Sequence, residues 1–143
     1  MTGGSSNAEK LRRLFDAYES GGPRAAAELI EETFDPEVEF NAGPAGEAGG
    51  RTYRGFDGMA GFFSELHESF ENVRFESRQF YSMGEDLVIV FTHHVGVDRA
   101  TSMPLRQELS LVYEFVGGRA VRVSAYDTPA EALEAAEKGY AGA

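Results

Sequence analysis

Three side chains in the second half of the chain have the types and spacing that acid/base chemistry needs: His93, Tyr113 and Asp127. Each closes an alternating run, "IVFTH", "LSLVY" and "VSAYD", in which the residues two and four places earlier are apolar. Residues two apart share one face of an extended strand, so all three are expected to look toward one apolar hollow. A carboxyl group at the rim of such a hollow loses hydration; its pKa rises, and it becomes a proton carrier near neutral pH. His93 and Tyr113 would then supply hydrogen bonds to a developing oxyanion. The plainer role for Asp127 is a helix cap. Thr128, Pro129 and Glu131 already read as a capping box with proline at the first helical position, which leaves Asp127 needing another reason.

Other chemistries find less support. His93 and His94 are adjacent in a strand and project to opposite faces, so they cannot share one ion, and no metal site is expected. With zero cysteines, disulfides, thiolate catalysis and cysteine-based metal centres are excluded. The glycine-rich stretch from Gly43 to Gly50 lacks the spacing and the Lys-Ser/Thr of a phosphate-binding loop and reads as a pocket rim. Proton transfer between a carboxyl group and carbon needs no cofactor, and none is expected. A formal charge of -11 repels nucleic acid and anionic membrane surfaces, so neither is an expected partner. No run approaches the roughly 18 apolar residues of a bilayer span, and "MTGGSSNAEK" carries no signal-peptide pattern. A cytoplasmic location is the expectation.

The elements that must position these residues are legible from periodicity. At 143 residues the chain has the size of one domain, read here as residues 7–137 between a leader, 1–6, and a tail, 138–143. Ser6 with Glu9 opens an amphipathic helix carrying Leu11, Leu14, Phe15 and Tyr18, stopped by "SGG". Pro23 opens a second helix, "PRAAAELIEETF", and "EVEF" is a short strand. "GFDGMAGFFSELHESF" sets Met59, Phe62, Phe63, Leu66 and Phe70 on one face of a third helix. From Val73 the period becomes two, giving four successive strands, the last pair joined by Gly117 and Gly118. A short final helix, "PAEALEAAEKG", is expected to cover the sheet edge through Leu133 and Ala136.

Helices segregated from a mainly antiparallel sheet make an α+β domain. Alternation puts Ile89, Phe91, His93 and Val95 on the inner face of one strand, Leu109, Leu111, Tyr113 and Phe115 on the next, and Val121, Val123, Ala125 and Asp127 on the last. With Phe15, Tyr18, Phe40 and Phe63 from the remaining elements, Ile89, Phe91, Leu109, Leu111, Val123 and Ala125 are the expected pocket wall. A wall of this kind suits a small, flat, hydrophobic molecule.

The segments "AYESGGPRAAAELIEETFDPEVEF", "YRGFDGMAGFF" and "FVGGRAVRVSAYDTPAEALEAA" together resemble the SnoaL-like branch of the nuclear transport factor 2-like, or ketosteroid isomerase-like, superfamily, over Leu11 to about Ala136. The resemblance implies a cone of curved sheet closed by the three earlier helices and the short C-terminal one, commonly dimerising through the outer sheet face. It implies two classes of function: cofactor-free proton transfer such as isomerisation or aldol-type polyketide cyclisation, with Asp127 as acid/base, or a non-catalytic ligand-binding or dimerisation module whose pocket is filled by its own side chains. The ketosteroid isomerase pattern itself is broken. Phe40 stands where that family has its aspartate base, and Leu111 where it has its protonated aspartate.

Overall fold

Leu11, Leu14, Phe15 and Tyr18 form the buried face of the first helix, α1 (Ser6–Ala27), in a computed structural model that describes residues 6–42 and 52–142. Within α1 the backbone leaves helical geometry at Gly22 (φ 74°, ψ -162°), immediately before Pro23, so two helical stretches meet at a kink. The second expected helix is cut short. The Leu29 N–H donates to the Ala26 carbonyl in a turn, and helix resumes only over α2 (Ile30–Thr33) before the chain extends into β1 (Phe34–Asn41). The strand expected over "EVEF" is thus longer than its sequence signal, and a three-residue strand, β2 (Thr52–Arg54), pairs with it. The reading of a leader at 1–6 falls, all but Ser6, outside the described residues, as do those of a cap through the Ser6 side chain and of a loop at 43–50.

After β2 come α3 (Gly55–Ser69), β3 (Phe70–Met83), β4 (Leu87–Asp98), β5 (Pro104–Val116), β6 (Arg119–Tyr126) and α4 (Pro129–Gly142). Gly117 and Gly118 both take positive φ, 61° and 85°, which is the backbone that a two-residue hairpin loop demands. The six strands form one curved, open sheet in the order β2-β1-β6-β5-β4-β3. Every neighbouring pair is antiparallel except β1 with β6. The fold is therefore the expected α+β arrangement, with α1, α2 and α3 over the inner face.

Both faces of the sheet are packed. The inner face meets α1 and α3 in a core that includes Val38, Val88, Val90, Tyr113 and Phe115. On the outer face α4 lays Ala132 and Ala136 against Leu87, Ile89 and Val112. Ala136 thus packs down over the face, beyond the edge; Leu133, expected beside it, is 41% exposed. The closer fit of alanine explains the choice, since a methyl-sized side chain lets the helix approach the flat sheet.

This outer packing corrects the expected orientation of β4. Ile89, Phe91 and His93 lie on the outer side, Ile89 and Phe91 packing in the α4 cluster, while Val88, Val90 and His94 face the inner core or cavity. The run "LVIV" is apolar at every position, so alternation offers two equal assignments, and α4 decides between them. A second irregularity lies in β3, where Ser77 and Arg78 together oppose Thr92 between the pairs Glu76↔His93 and Gln79↔Phe91. This bulge, with Ser77 at φ 57°, lets Phe75 and Phe80 both pack inward although they stand an odd number of positions apart. No helix among the described residues is long and apolar enough to cross a membrane.

Candidate functional site

Between α1, α3 and the inner sheet face lies a cavity of about 230 Å³. α1 contributes Leu14, Phe15 and Tyr18 at one helical turn's spacing, and α3 contributes Met59, Phe62, Phe63 and Leu66 from its own apolar stripe. The sheet supplies Phe34 and Phe40 from β1, Phe75 from β3, His94 from β4, Leu109, Leu111 and Tyr113 from β5, and Val123 and Ala125 from β6, with Ala42 just past β1. Ala42, Phe62, Leu66 and Leu109 are half-buried where most of the others are buried, so they mark where the wall meets the surface. Among the described residues no side chain fills the hollow.

The aromatic rings brace one another. Phe62 meets Phe40 edge-on, with ring centroids 4.7 Å apart, and Phe63 at 5.5 Å. Phe15 lies edge-on to Phe75 at 5.2 Å, and the Arg78 guanidinium sits 5.7 Å from the Phe15 ring centre. Arg78 also donates to the Asp16 carboxylate at 2.8 Å and to the Phe75 carbonyl at 2.9 Å. The β3 bulge is thereby tied to α1 beside the cavity.

Polar groups enter this wall, among the described residues, only as Tyr18, His94 and Tyr113, and no Asp, Glu, Lys or Arg lines it. His94 is held between Phe75, stacked at 5.5 Å, and Phe70, edge-on at 5.1 Å. Its Nε2 is buried and meets no hydrogen-bond partner among the described residues, and burial lowers its pKa from the ordinary histidine value, so the ring is neutral at pH 7. The Tyr18 hydroxyl is likewise buried and unpartnered; burial pushes its pKa up to about 12, opposed by the positive charge of Arg99. Burial raises the Tyr113 phenol as well. The group as a whole is neutral, able to exchange hydrogen bonds and, at His94, a proton.

Of the residues singled out from sequence, Phe15, Tyr18, Phe40, Phe63, Leu109, Leu111, Tyr113, Val123 and Ala125 line this cavity. Four do not. Ile89 and Phe91 pack on the outer face beneath α4, and His93 shares their side of β4, its Nδ1 buried without a partner. Asp127 is exposed in the bend between β6 and α4. The expected orientation of Asp127 fails because the chain leaves the sheet at Tyr126: Thr128 caps α4, its Oγ1 accepting from the Glu131 N–H at 3.2 Å, and this turn carries the aspartate away from the hollow. His94 is the titratable residue the sequence reasoning passed over. The signal for it was the Ala132/Ala136 stripe of the last helix, which needs an apolar outer partner and so forces Ile89 outward and His94 inward.

A sequence model of the SnoaL-like domain matches residues 11–123. No curated protein matches the chain. Among solved structures, an NTF2-like protein from Burkholderia pseudomallei superposes with a TM-score of 0.72 at 20% identity, over 91% of this chain and 96% of that one. A protein of ketosteroid isomerase-like fold from Catenulispora acidiphila, solved in complex with trimethylamine, gives 0.69 at 17% identity over 88% and 90% of the two chains. TerC, co-crystallised with polyporic acid, gives 0.69 at 19% identity over 91% and 97%.

Proposed function

The chain belongs to the SnoaL-like domain family, and from that premise we propose that its cavity binds a small hydrophobic molecule and carries out cofactor-free proton transfer on it. The observation that carries the reading is one apolar hollow in which a neutral histidine and buried tyrosines are the only polar side chains among the described residues. The similar folds solved with polyporic acid and with trimethylamine support small-molecule binding by analogy of architecture.

In this reading His94 takes the acid/base role expected of Asp127. Its Nε2 accepts a proton from the carbon next to a substrate carbonyl, and the Tyr18 or Tyr113 hydroxyl donates to the enolate oxygen as charge develops there. Return of the proton to a different carbon completes an isomerisation. Attack of the same carbanion on a second carbonyl, with the proton delivered to the new alkoxide, completes an aldol closure. Either route balances without an external oxidant or metal. The same reading includes a homodimer through the part of the outer sheet face that α4 leaves uncovered.

Exchange of the α-protons of 2-tetralone with D2O, followed by NMR, tests the proton transfer without knowledge of the natural substrate. The wild-type protein is expected to accelerate exchange, His94→Gln to lose that acceleration by about 100-fold or more, and Asp127→Asn to retain it. Exchange at the buffer rate with the wild-type protein, or a His94→Gln variant as fast as wild type, overturns the assignment.

A further inference from the structure

Size, charge and two orphaned polar atoms narrow what the cavity can hold, and we propose that its ligand is an uncharged ring system of one or two rings that carries both a hydrogen-bond donor and an acceptor. The inference rests on the binding part of the function proposed above and does not depend on the chemistry.

A dry apolar cavity of roughly 150 Å³ accepts benzene. At about 230 Å³ this one has room for a second fused ring. It lies below the roughly 300 Å³ at which sites for larger ligands begin, which favours one or two rings over three or four. The wall is largely flat rings, Phe62 and Phe63 from α3 facing Phe40 and Tyr18, which favours a planar guest.

Charge is excluded from both sides. No charged side chain lines the hollow among the described residues, so a carboxylate or ammonium entering it would give up its hydration without meeting an opposite charge. The net charge of -11 adds a long-range field against anions. A wholly apolar guest fits less well, because the Tyr18 hydroxyl and His94 Nε2 are both buried and neither has a partner among the described residues. Unpaired buried polar atoms are costly, and a guest that bonds to them recovers that cost. Phe75 touches both residues, stacked on His94 at 5.5 Å and tilted against Tyr18 at 6.1 Å, so both orphaned residues border one ring of the cavity wall. A hydroxyl and an imidazole can each donate or accept, so a guest presenting one donor and one acceptor can satisfy the pair in either sense.

Titration of the wild-type protein with four bicyclic probes of similar size, by calorimetry and ligand-observed NMR, tests this. 2-Quinolinone, with its adjacent N–H and C=O, is expected to bind at least about tenfold tighter than naphthalene, with quinoline between them and quinoline-2-carboxylate showing no binding. Tyr18→Phe and His94→Phe should each erase most of the 2-quinolinone advantage while naphthalene still binds at least as well as to the wild type, and that binding shows that the variant cavity is intact. Equal affinity for naphthalene and 2-quinolinone, or a carboxylate that binds as well as its neutral relative, overturns the proposal and leaves the binding function standing. Failure of all four probes overturns both.

Discussion

His94 and Asp127 show how a single residue's surroundings decide its chemistry. Both can move protons, yet Asp127 is exposed at a helix start while His94 is clamped between Phe70 and Phe75. Burial lowers the folded-state pKa of His94 below its ordinary 6.5. The unfolded chain therefore takes up a proton at that position at a pH where the folded chain does not. By linkage, the contribution of His94 to stability is present above pH 6.5 and is lost as pH falls from there through the folded-state value. Thermal melts of wild type and His94→Phe between pH 8 and pH 5 are expected to show a steeper acid loss in the wild type; parallel curves would remove His94 as the source. The histidine was present in the sequence, but its inward direction was not legible, because Val88 to Val90 are buried whichever side they face. Phe15, Tyr18, Phe40, Phe63 and Tyr113 of the wall were legible from helical or strand spacing, whereas Phe34 and Phe75, which also line it, were not among the expected lining residues.

Among the elements, β3 is the one whose irregularity matters to the cavity. A regular strand would turn Phe75 and Phe80 to opposite sides; the bulge at Ser77 and Arg78 brings both inward. Ser77 holds φ at 57°, a left-handed conformation that β-branched residues avoid. Ser77→Val is expected to cost about 1–3 kcal/mol by denaturant unfolding and to weaken probe binding through displacement of Phe75, whereas Ser77→Gly is expected to be neutral or mildly stabilising. A valine variant with wild-type stability and affinity would show that the bulge is not held by this residue. Nothing in "FESRQF" announces an extra residue, because bulges depend on the partner strand and not on local propensity. The Gly117–Gly118 hairpin and the Thr128 cap are the opposite case, requirements of backbone geometry that only certain residues meet, and the sequence displays them openly.

For the whole molecule, the open question is what meets the outer face. α4 covers the stretch around Ile89 and Val112, leaving Tyr81 half exposed on the β3 edge strand, its ring 5.6 Å from that of Phe91. If this remainder is the dimer surface, sedimentation velocity should give twice the 15.6 kDa of one chain, and Tyr81→Glu should return it to a monomer. A single 15.6 kDa species at every concentration would discard the dimer. The amino-acid sequence by itself determined the α+β class, the helix and strand order in outline, and the existence of a large aromatic surface that had to be buried, because periodicity and apolar content decide how much surface leaves water. Tertiary structure alone decided which face of β4 looks inward, where β3 bulges and where the chain quits the sheet before Asp127. The physical reason is that a strand's side chains alternate with period two: when both faces are apolar the two assignments cost the same locally, and only the helix that packs against one of them breaks the tie.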